Sequence, residues 1–275
     1  MSLKSVLVHV TNTDQAQARV DAAIALAMAH DAHVRGLGVR AMSEIPPYAV
    51  PGIPATVIAE MEARQKADVA AARKIFEAAL TRAGWSDRGD WVADEGDATE
   101  VTALHARYTD LTVVGQQSPS GATDAYTGFA DELVLQSGRP ILVIPHIGVE
   151  RPIGKHIVIA WNASRESARA VADAMPLLEK SDAVEIMAVD PKGIGDIPGA
   201  DIAQHLARHG INVEATHSVA NQIDAGDVLL NYVSDCGADL LVMGAYGHSR
   251  MREIVLGGVT RHMLEHMITP VLMSH

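Results

Sequence analysis

The chain has a set of glycines near its carboxyl-terminal end. Their spacing would let the backbone approach a phosphate group closely. Residues 244–247 read Gly-Ala-Tyr-Gly and, nine residues later, residues 257–260 read Gly-Gly-Val-Thr. Glycines at a turn let backbone N–H groups approach an anion, and the N-terminus of a following helix adds favourable dipole charge. A triphosphate could be held there by backbone amides, by the Thr260 hydroxyl and by a side chain among residues 248–250. The pattern therefore predicts a site for a nucleotide.

A degraded copy of the same pattern stands in the first half of the chain. Residues 115–118 read Gly-Gln-Gln-Ser, and residues 128–131 read Gly-Phe-Ala-Asp after the same spacing of nine. Ser118 replaces the second glycine, and Asp131 adds a negative charge where a polyanion would sit. Like charges repel even with partial solvent screening. We therefore expect the matching site of the first half to hold no nucleotide.

Strands and helices must position both glycine segments. Each segment follows an apolar run, residues 240–243 or 111–114, that predicts a strand, and a helix is expected to begin near Gly257. Short β-branched runs alternate with helical stretches, which is typical of a parallel sheet with helices on both faces. The strands are predicted to begin near residues 4, 33, 89, 111 and 141 in the first half, and near residues 156, 184, 212, 240 and 271 in the second.

The order of the strands determines where a ligand could bind. In an open α/β sheet, ligands bind beyond the carboxyl ends of the strands, where the strand order reverses. The end of the first strand and the loop after the fourth strand would meet there. In the second half this brings Ala160 and Asn162 to the glycine segment. Glycines that serve only tight turns and close helix packing are the competing interpretation, and Asn162 could also simply close an Asx turn.

The chain also repeats itself along its length. Residues 4–13 can be laid over residues 155–164, and residues 97–101 over residues 224–228, where Asp97 and Asp224 are suited to cap helices. A duplicated unit is the economical explanation. We expect an α/β fold of two tandem doubly wound, Rossmann-like domains, 1–147 and 152–275, each a five-stranded parallel sheet with helices on both faces.

Composition limits the classes of function. The 275 residues carry a net charge of −12, which argues against nonspecific binding to nucleic acid or to anionic membranes. The single cysteine, Cys236, excludes an intrachain disulfide and favours a reducing compartment. The chain shows neither a secretory signal nor an apolar run long enough to cross a bilayer, so a soluble, cytoplasmic protein is expected.

These features together resemble the tandem members of the universal stress protein family, and the resemblance covers essentially the whole chain. That family carries the pattern G-x2-G-x9-G followed by Ser or Thr, and members bearing it typically bind ATP. Gly244, Gly247 and Gly257 satisfy the pattern, whereas Gly258 stands at the Ser/Thr position. The resemblance also implies that residues 141–144 and 271–273 pair, so that the two units form a pseudo-dimer within one chain.

The resemblance completes the expected site. Asn162 stands where the family commonly has an Asp for the nucleotide, Val189 matches a position whose backbone contacts adenine, and Thr260 matches a further family contact. The expected ligand is ATP or a related nucleotide, with Mg²⁺ left open. The residues expected to bind it are Ala160, Asn162, Val189, Met243, Gly244, Gly247, His248, Gly257, Gly258, Val259 and Thr260.

The implied function is that of a stress-response regulator whose ligand state alters binding of unidentified protein partners. An interaction scaffold with two decayed sites and a slow ATPase are the alternatives. The sequence contains no Walker lysine motif and no nucleophile elbow. No catalytic residue is therefore expected, and hydrolysis would at most be weak. Whether two chains form a further homodimer is left open.

Three remaining features invite a second interpretation. The pairs His205/His209 and His262/His266 have helical spacing suited to zinc, but no third ligand is evident, so we interpret them as surface or capping residues and expect no metal site. Cys236, with no base evident beside it, is interpreted as a small buried hydrophobe. The Pro-rich residues 44–54 could form a lid, a partner-binding patch or a rigid connection.

Overall fold

The computed structural model describes residues 2–41, 53–117, 128–189, 199–218, 224–247 and 258–275. Strands and helices alternate in both halves. The first half contains β1 (Ser5–His9), α1 (Ala16–His30), β2 (His33–Ala41), α2 (Ala55–Ala83), a 3-10 turn (Ser86–Arg88), β3 (Gly89–Gly96), α3 (Ala98–Ala106), β4 (Leu111–Gly115), α4 (Phe129–Ser137) and β5 (Ile141–Ile144). The second half contains β6 (His156–Ala160), α5 (Arg165–Leu178), β7 (Ala183–Val189), α6 (Ala200–Arg208), β8 (Val213–Ser218), α7 (Ala225–Cys236), β9 (Leu240–Gly244), α8 (Val259–His266) and β10 (Val271–Ser274).

Each predicted strand is present and begins within one residue of its expected start. Helix α8 begins at Val259 with Gly258 as its N-cap, two residues after the start predicted near Gly257. Predicted caps are confirmed, since the Asp97 side chain accepts a hydrogen bond from the backbone N–H of Glu100 and the Asp224 side chain accepts one from Gly226.

The strands form one ten-stranded sheet in the order β3-β2-β1-β4-β5-β10-β9-β6-β7-β8. All neighbouring pairs are parallel except β5 and β10, which run antiparallel with Leu142 opposite Leu272. The predicted pairing of the two last strands is therefore confirmed. Each half has the same strand order about this seam, so the halves are related by a pseudo-twofold axis.

Helices cover both faces of the sheet. One core packs α1, α2, α5 and α6 against the sheet, and the other packs α3, α4, α7 and α8 against the opposite face. Strands near the seam are buried on both sides, as the four consecutive buried residues of β5 and of β10 show. This explains why they are continuous apolar runs instead of alternating ones. None of the helices in the described parts of the chain combines the length and apolar character that a membrane span requires.

An aspartate fixes the start of the first strand in each half. The Asp110 carboxylate, just before β4, accepts hydrogen bonds from the N–H groups of Lys4 and Ser5 at 2.8 and 2.9 Å. Asp239, just before β9, does the same for three N–H groups, those of residues 154–156, at 2.6 to 3.1 Å. The same physical device therefore sets the register of neighbouring strands in both halves.

Candidate functional site

The carboxyl ends of β6 and β9 meet where the strand order of the second half reverses. Ala160, the last residue of β6, lies opposite Met243 of β9 on one side and Met187 of β7 on the other. Val189 ends β7 two residues further along. The structure thus brings Ala160, Met243 and Val189 to one edge of the sheet, together with the glycine segment that follows β9.

Gly244 is required by packing at this edge. A Cβ atom built on Gly244 would lie 2.4 Å from the backbone C of Glu166 and 2.4 Å from the backbone N of Ser167. Real Cβ atoms do not approach backbone atoms that closely, so any side chain would push β9 away from the first turn of α5. The packing interpretation therefore accounts for Gly244 without any ligand.

Gly247 faces a buried carboxylate that the sequence did not single out. A Cβ atom on Gly247 would lie 3.1 Å from Oε2 of Glu166, whose residue is only 5% exposed. Burial acts to raise the pKa of the Glu166 carboxyl, but hydrogen bonds from its own backbone N–H, from Ser164 and from Arg165 hold that pKa below its ordinary value. A negative charge therefore stands beside the glycine segment at neutral pH.

The segment between β6 and α5 adopts a constrained turn. The Asn162 side chain accepts a hydrogen bond through Oδ1 from the backbone N–H of Ser164 at 3.1 Å, so the Asx turn is present. Ala163 has φ of +58°, an uncommon conformation for a residue with a Cβ atom. Ser164 then caps α5 by accepting from the N–H of Ser167. Asn162 itself is exposed, so its amide group points to solvent at the same edge.

Tyr246 links the glycine segment to both α8 and the first half of the chain. Its backbone N–H donates to Oγ1 of Thr260 at 3.2 Å, and its phenol hydroxyl donates to the carboxylate of Asp131. Tyr246 also has φ of +58°. Of the three non-glycine residues with positive φ in the described chain, two, Ala163 and Tyr246, stand at this site, as strained residues at functional sites often do.

Thr260 is 2% exposed and holds the glycine segment against α8. Its oxygen accepts from Tyr246, although a hydroxyl can accept and donate at once. The start of α8, which lies wholly within the described residues, has Gly258 as N-cap and no acidic side chain in its first turn. The matching helix of the first half, α4, carries Asp131 and Glu132 there. Of these two matching helices, only α8 begins without an acidic side chain of its own, which favours an anion at its N-terminus.

The matching position of the first half is filled by side chains. A Cβ atom on Gly115 would lie 2.3 Å from Nη1 of Arg19, whose side chain is buried and donates to Thr11. The rings of His9 and Phe129 pack 4.8 Å apart at the same end of β1. Burial, aided by the charge of Arg19, lowers the pKa of His9 to about 3.

Several predicted residues cannot be placed. His248 and Gly257 of the expected binding set lie outside the described residues, as do Ser118 and most of the Pro-rich segment. The histidine pairs have other contacts: the rings of His262 and His266 stack at 4.4 Å, and Nε2 of His262 lies 2.9 Å from Asp227. The structure thus brings Ala160, Asn162, Val189, Met243, Gly244, Gly247, Gly258, Val259 and Thr260 to one edge of the second half.

Comparison with known proteins gives a family match for the second half. Residues 154–275 match the model of the universal stress protein family. A curated universal stress protein from Synechocystis sp. is 35% identical over 83 residues, which are 30% of this chain and 27% of that protein. The match therefore spans about a quarter of that relative's length.

Two solved structures share the fold over nearly the whole chain. A universal stress protein from Archaeoglobus fulgidus is similar over 98% of this chain and 95% of its own, with a TM-score of 0.72 and 15% identity. A functionally unknown protein from Pseudomonas aeruginosa is similar over 99% of this chain and 92% of its own, with a TM-score of 0.57 and 13% identity. At identities this low, the likeness shows the fold of both halves.

Proposed function

Because the second half of the chain, residues 154–275, matches the model of the universal stress protein family, we propose that it binds ATP or a related nucleotide at the carboxyl edge of β6 and β9. One observation carries the proposal: the glycine segment, the end of β6 and the N-terminus of α8, free of acidic side chains in its first turn, converge where the strand order reverses. Backbone N–H groups and dipole charge are what a phosphate chain needs.

Most of the described residues of the expected set have a task in this proposal. The backbone amides at Gly247 and at Gly258 to Thr260 would hold phosphate oxygens, while Asn162 would meet the ribose or base from the neighbouring strand end. Val189, at the end of β7, would contact the base through its backbone. Met243 and Ala160 form the apolar edge from which these segments emerge.

The carboxylate of Glu166 favours a metal-bound nucleotide over a free one. Its ionised group beside Gly247 would repel a bare triphosphate, and a divalent cation between them would turn that repulsion into attraction. This supports Mg²⁺ as part of the ligand. A free nucleotide is expected to bind more weakly than its magnesium complex.

The first half would then act as a support and not as a second site. Arg19, His9 and Phe129 fill the matching position, and the first turn of α4 carries two carboxylates. The bond from Tyr246 to Asp131 ties the glycine segment to that half, so occupancy of the second half could be sensed across the seam. This supports a stress-response regulator that presents its ligand state to protein partners.

Isothermal titration of the full chain with ATP, with and without Mg²⁺, tests the proposal. We expect binding that Mg²⁺ strengthens and that Gly247→Val abolishes, because a branched side chain there would crowd Glu166 and the phosphate path. Ser118→Val, at the matching position of the degraded first-half pattern, is the control and should bind as the wild type does. Absence of binding to the wild-type chain would favour the scaffold alternative.

A further inference from the structure

Three side chains with different donor atoms meet at the edge of the sheet opposite to the nucleotide edge. His156, Glu185 and Cys236 each offer one ligand atom, and these atoms lie within 4.8 Å of one another. Nε2 of His156 lies 2.6 Å from Oε1 of Glu185, and both side chains are about three-quarters buried, at 25% and 22% exposure. The residues are 29 and 51 positions apart along the chain, so no local pattern reveals the cluster.

The fold explains why these side chains converge. His156 begins β6 and lies on the same face as Val158, while Glu185 shares the face of Met187 in the neighbouring β7. Helix α7 packs on that face and ends at Cys236. All three side chains therefore project from rigid elements into the space between sheet and helix, which is how precise sites are built.

Charge at this place also favours a cation. Glu185 lies directly opposite Glu214 of β8 in the parallel register, and like charges facing each other across strands are unfavourable. One carboxylate, one neutral imidazole and one thiolate carry two negative charges together, which would balance the two positive charges of a divalent ion. Neutralisation of that kind is what a partly buried ion requires.

From this geometry we propose that His156, Glu185 and Cys236 form a site for a thiophilic divalent cation of the Zn²⁺ class. Nitrogen, oxygen and sulfur donors in a set of three, with a fourth position for water, are typical zinc ligation. Tetrahedral zinc places its ligand atoms about 3.3–3.8 Å apart. The His156 and Glu185 ligand atoms, now 2.6 Å apart, would separate by about 0.7 Å to admit an ion, and the wider contacts to Cys236 would shorten by up to about 1 Å. Binding releases the thiol proton to solvent as the sulfur–metal bond forms.

Tyr232 supports the site from outside the ligand set. Its hydroxyl donates to the other carboxylate oxygen, Oε2 of Glu185, which leaves Oε1 directed at His156. Hydrogen bonds of this kind orient metal ligands, and their loss typically weakens metal binding about 10- to 100-fold.

The proposed cation site is independent of the nucleotide proposal. His156 begins β6 and Ala160 ends it, so the two edges are separated by about 13 Å at the rise of an extended strand. The sequence led us to expect no metal site because histidine spacing relates only residues that are close along the chain. The two proposals can therefore fail or succeed separately.

Cobalt titration of the full chain under a non-thiol reductant tests the site. Co²⁺ bound by a thiolate gives a charge-transfer band, and Cys236 is the sole cysteine of the sequence, so any such band reports this residue. We expect one Co²⁺ per chain, displaced by Zn²⁺, with the band lost in Cys236→Ser. His156→Asn and Glu185→Gln should each weaken Co²⁺ binding more than about tenfold, and Tyr232→Phe about tenfold.

The controls separate this site from ordinary surface binding. His209→Asn removes one member of the exposed pair with His205 on the α6 side, whose rings lie 5.0 Å apart, and should leave the band unchanged. Circular dichroism checks that each variant is folded. The proposal is overturned if the wild-type chain gives no thiolate band, or if the band persists at full strength without His156 and without Glu185.

Discussion

His9 should make the protein less stable as the pH falls from neutrality. Its ring is 2% exposed, and burial together with the nearby Arg19 charge lowers its pKa from 6.5 to about 3. The unfolded chain therefore takes up a proton near pH 6.5, whereas the folded chain does so only near pH 3. The contribution of His9 to stability is thus complete above pH 6.5 and is lost as the pH falls towards 3.

The loss of stability depends on how much of the pH interval between the unfolded and folded pKa values of His9 is crossed. One pH unit inside it is worth about 1.4 kcal/mol for one proton, so 1.5 units between pH 6.5 and 5 give about 2 kcal/mol. Between pH 8 and 5, the wild-type free energy of unfolding should fall by about 2 kcal/mol more than that of His9→Leu. Urea denaturation at the two pH values measures both differences.

A matched variant guards against a general effect of losing a histidine. His205 is exposed on α6, and His205→Gln should retain the wild-type difference between pH 8 and 5. Equal pH dependence in the wild type and in His9→Leu would refute the reasoning, because it would mean that the folded chain protonates His9 as readily as the unfolded chain does.

Three further changes test single contacts. Gly244→Ala should lower the free energy of unfolding by about 1–3 kcal/mol in urea, since its Cβ would meet backbone atoms of α5 at 2.4 Å; no change would argue against the close packing. Asp239→Ala should cost about 2–3 kcal/mol because three N–H groups lose a charged acceptor, and calorimetric melting would detect it. Tyr246→Phe should lower the free energy of unfolding by about 1 kcal/mol or less. It should also speed hydrogen exchange in α4, because the bond to Asp131 is lost. Unchanged exchange would mean that this bond does not tie the two halves together.

Local patterns predicted the elements of this fold well. Helix α5 begins directly after Ser164, whose side chain caps it, and the buried strands are visible in the sequence as short apolar runs. The internal repeat adds further information. When the two halves are aligned, Asp110 and Asp239 fall at matching positions, and in the structure each accepts hydrogen bonds at the start of the first strand of its own half.

What local patterns could not predict depends on contacts between distant residues. Nothing in the neighbourhood of Glu166 indicates that its carboxylate faces Gly247, because that contact depends on how closely β9 packs on α5. The same holds for Tyr246 and Asp131, which are joined only through the antiparallel seam. A carboxylate in the first turn of a helix is an ordinary surface feature until packing buries it.

Hydrogen exchange of the full chain with and without the magnesium complex of ATP tests the central claim most directly. We predict slower exchange at the start of α8, residues 258–262, and at the end of β6, residues 160–164. The matching segment of the first half, residues 128–132, should exchange at its ligand-free rate. No protection in the second half, or protection confined to the first, would contradict a nucleotide site built on the second glycine segment.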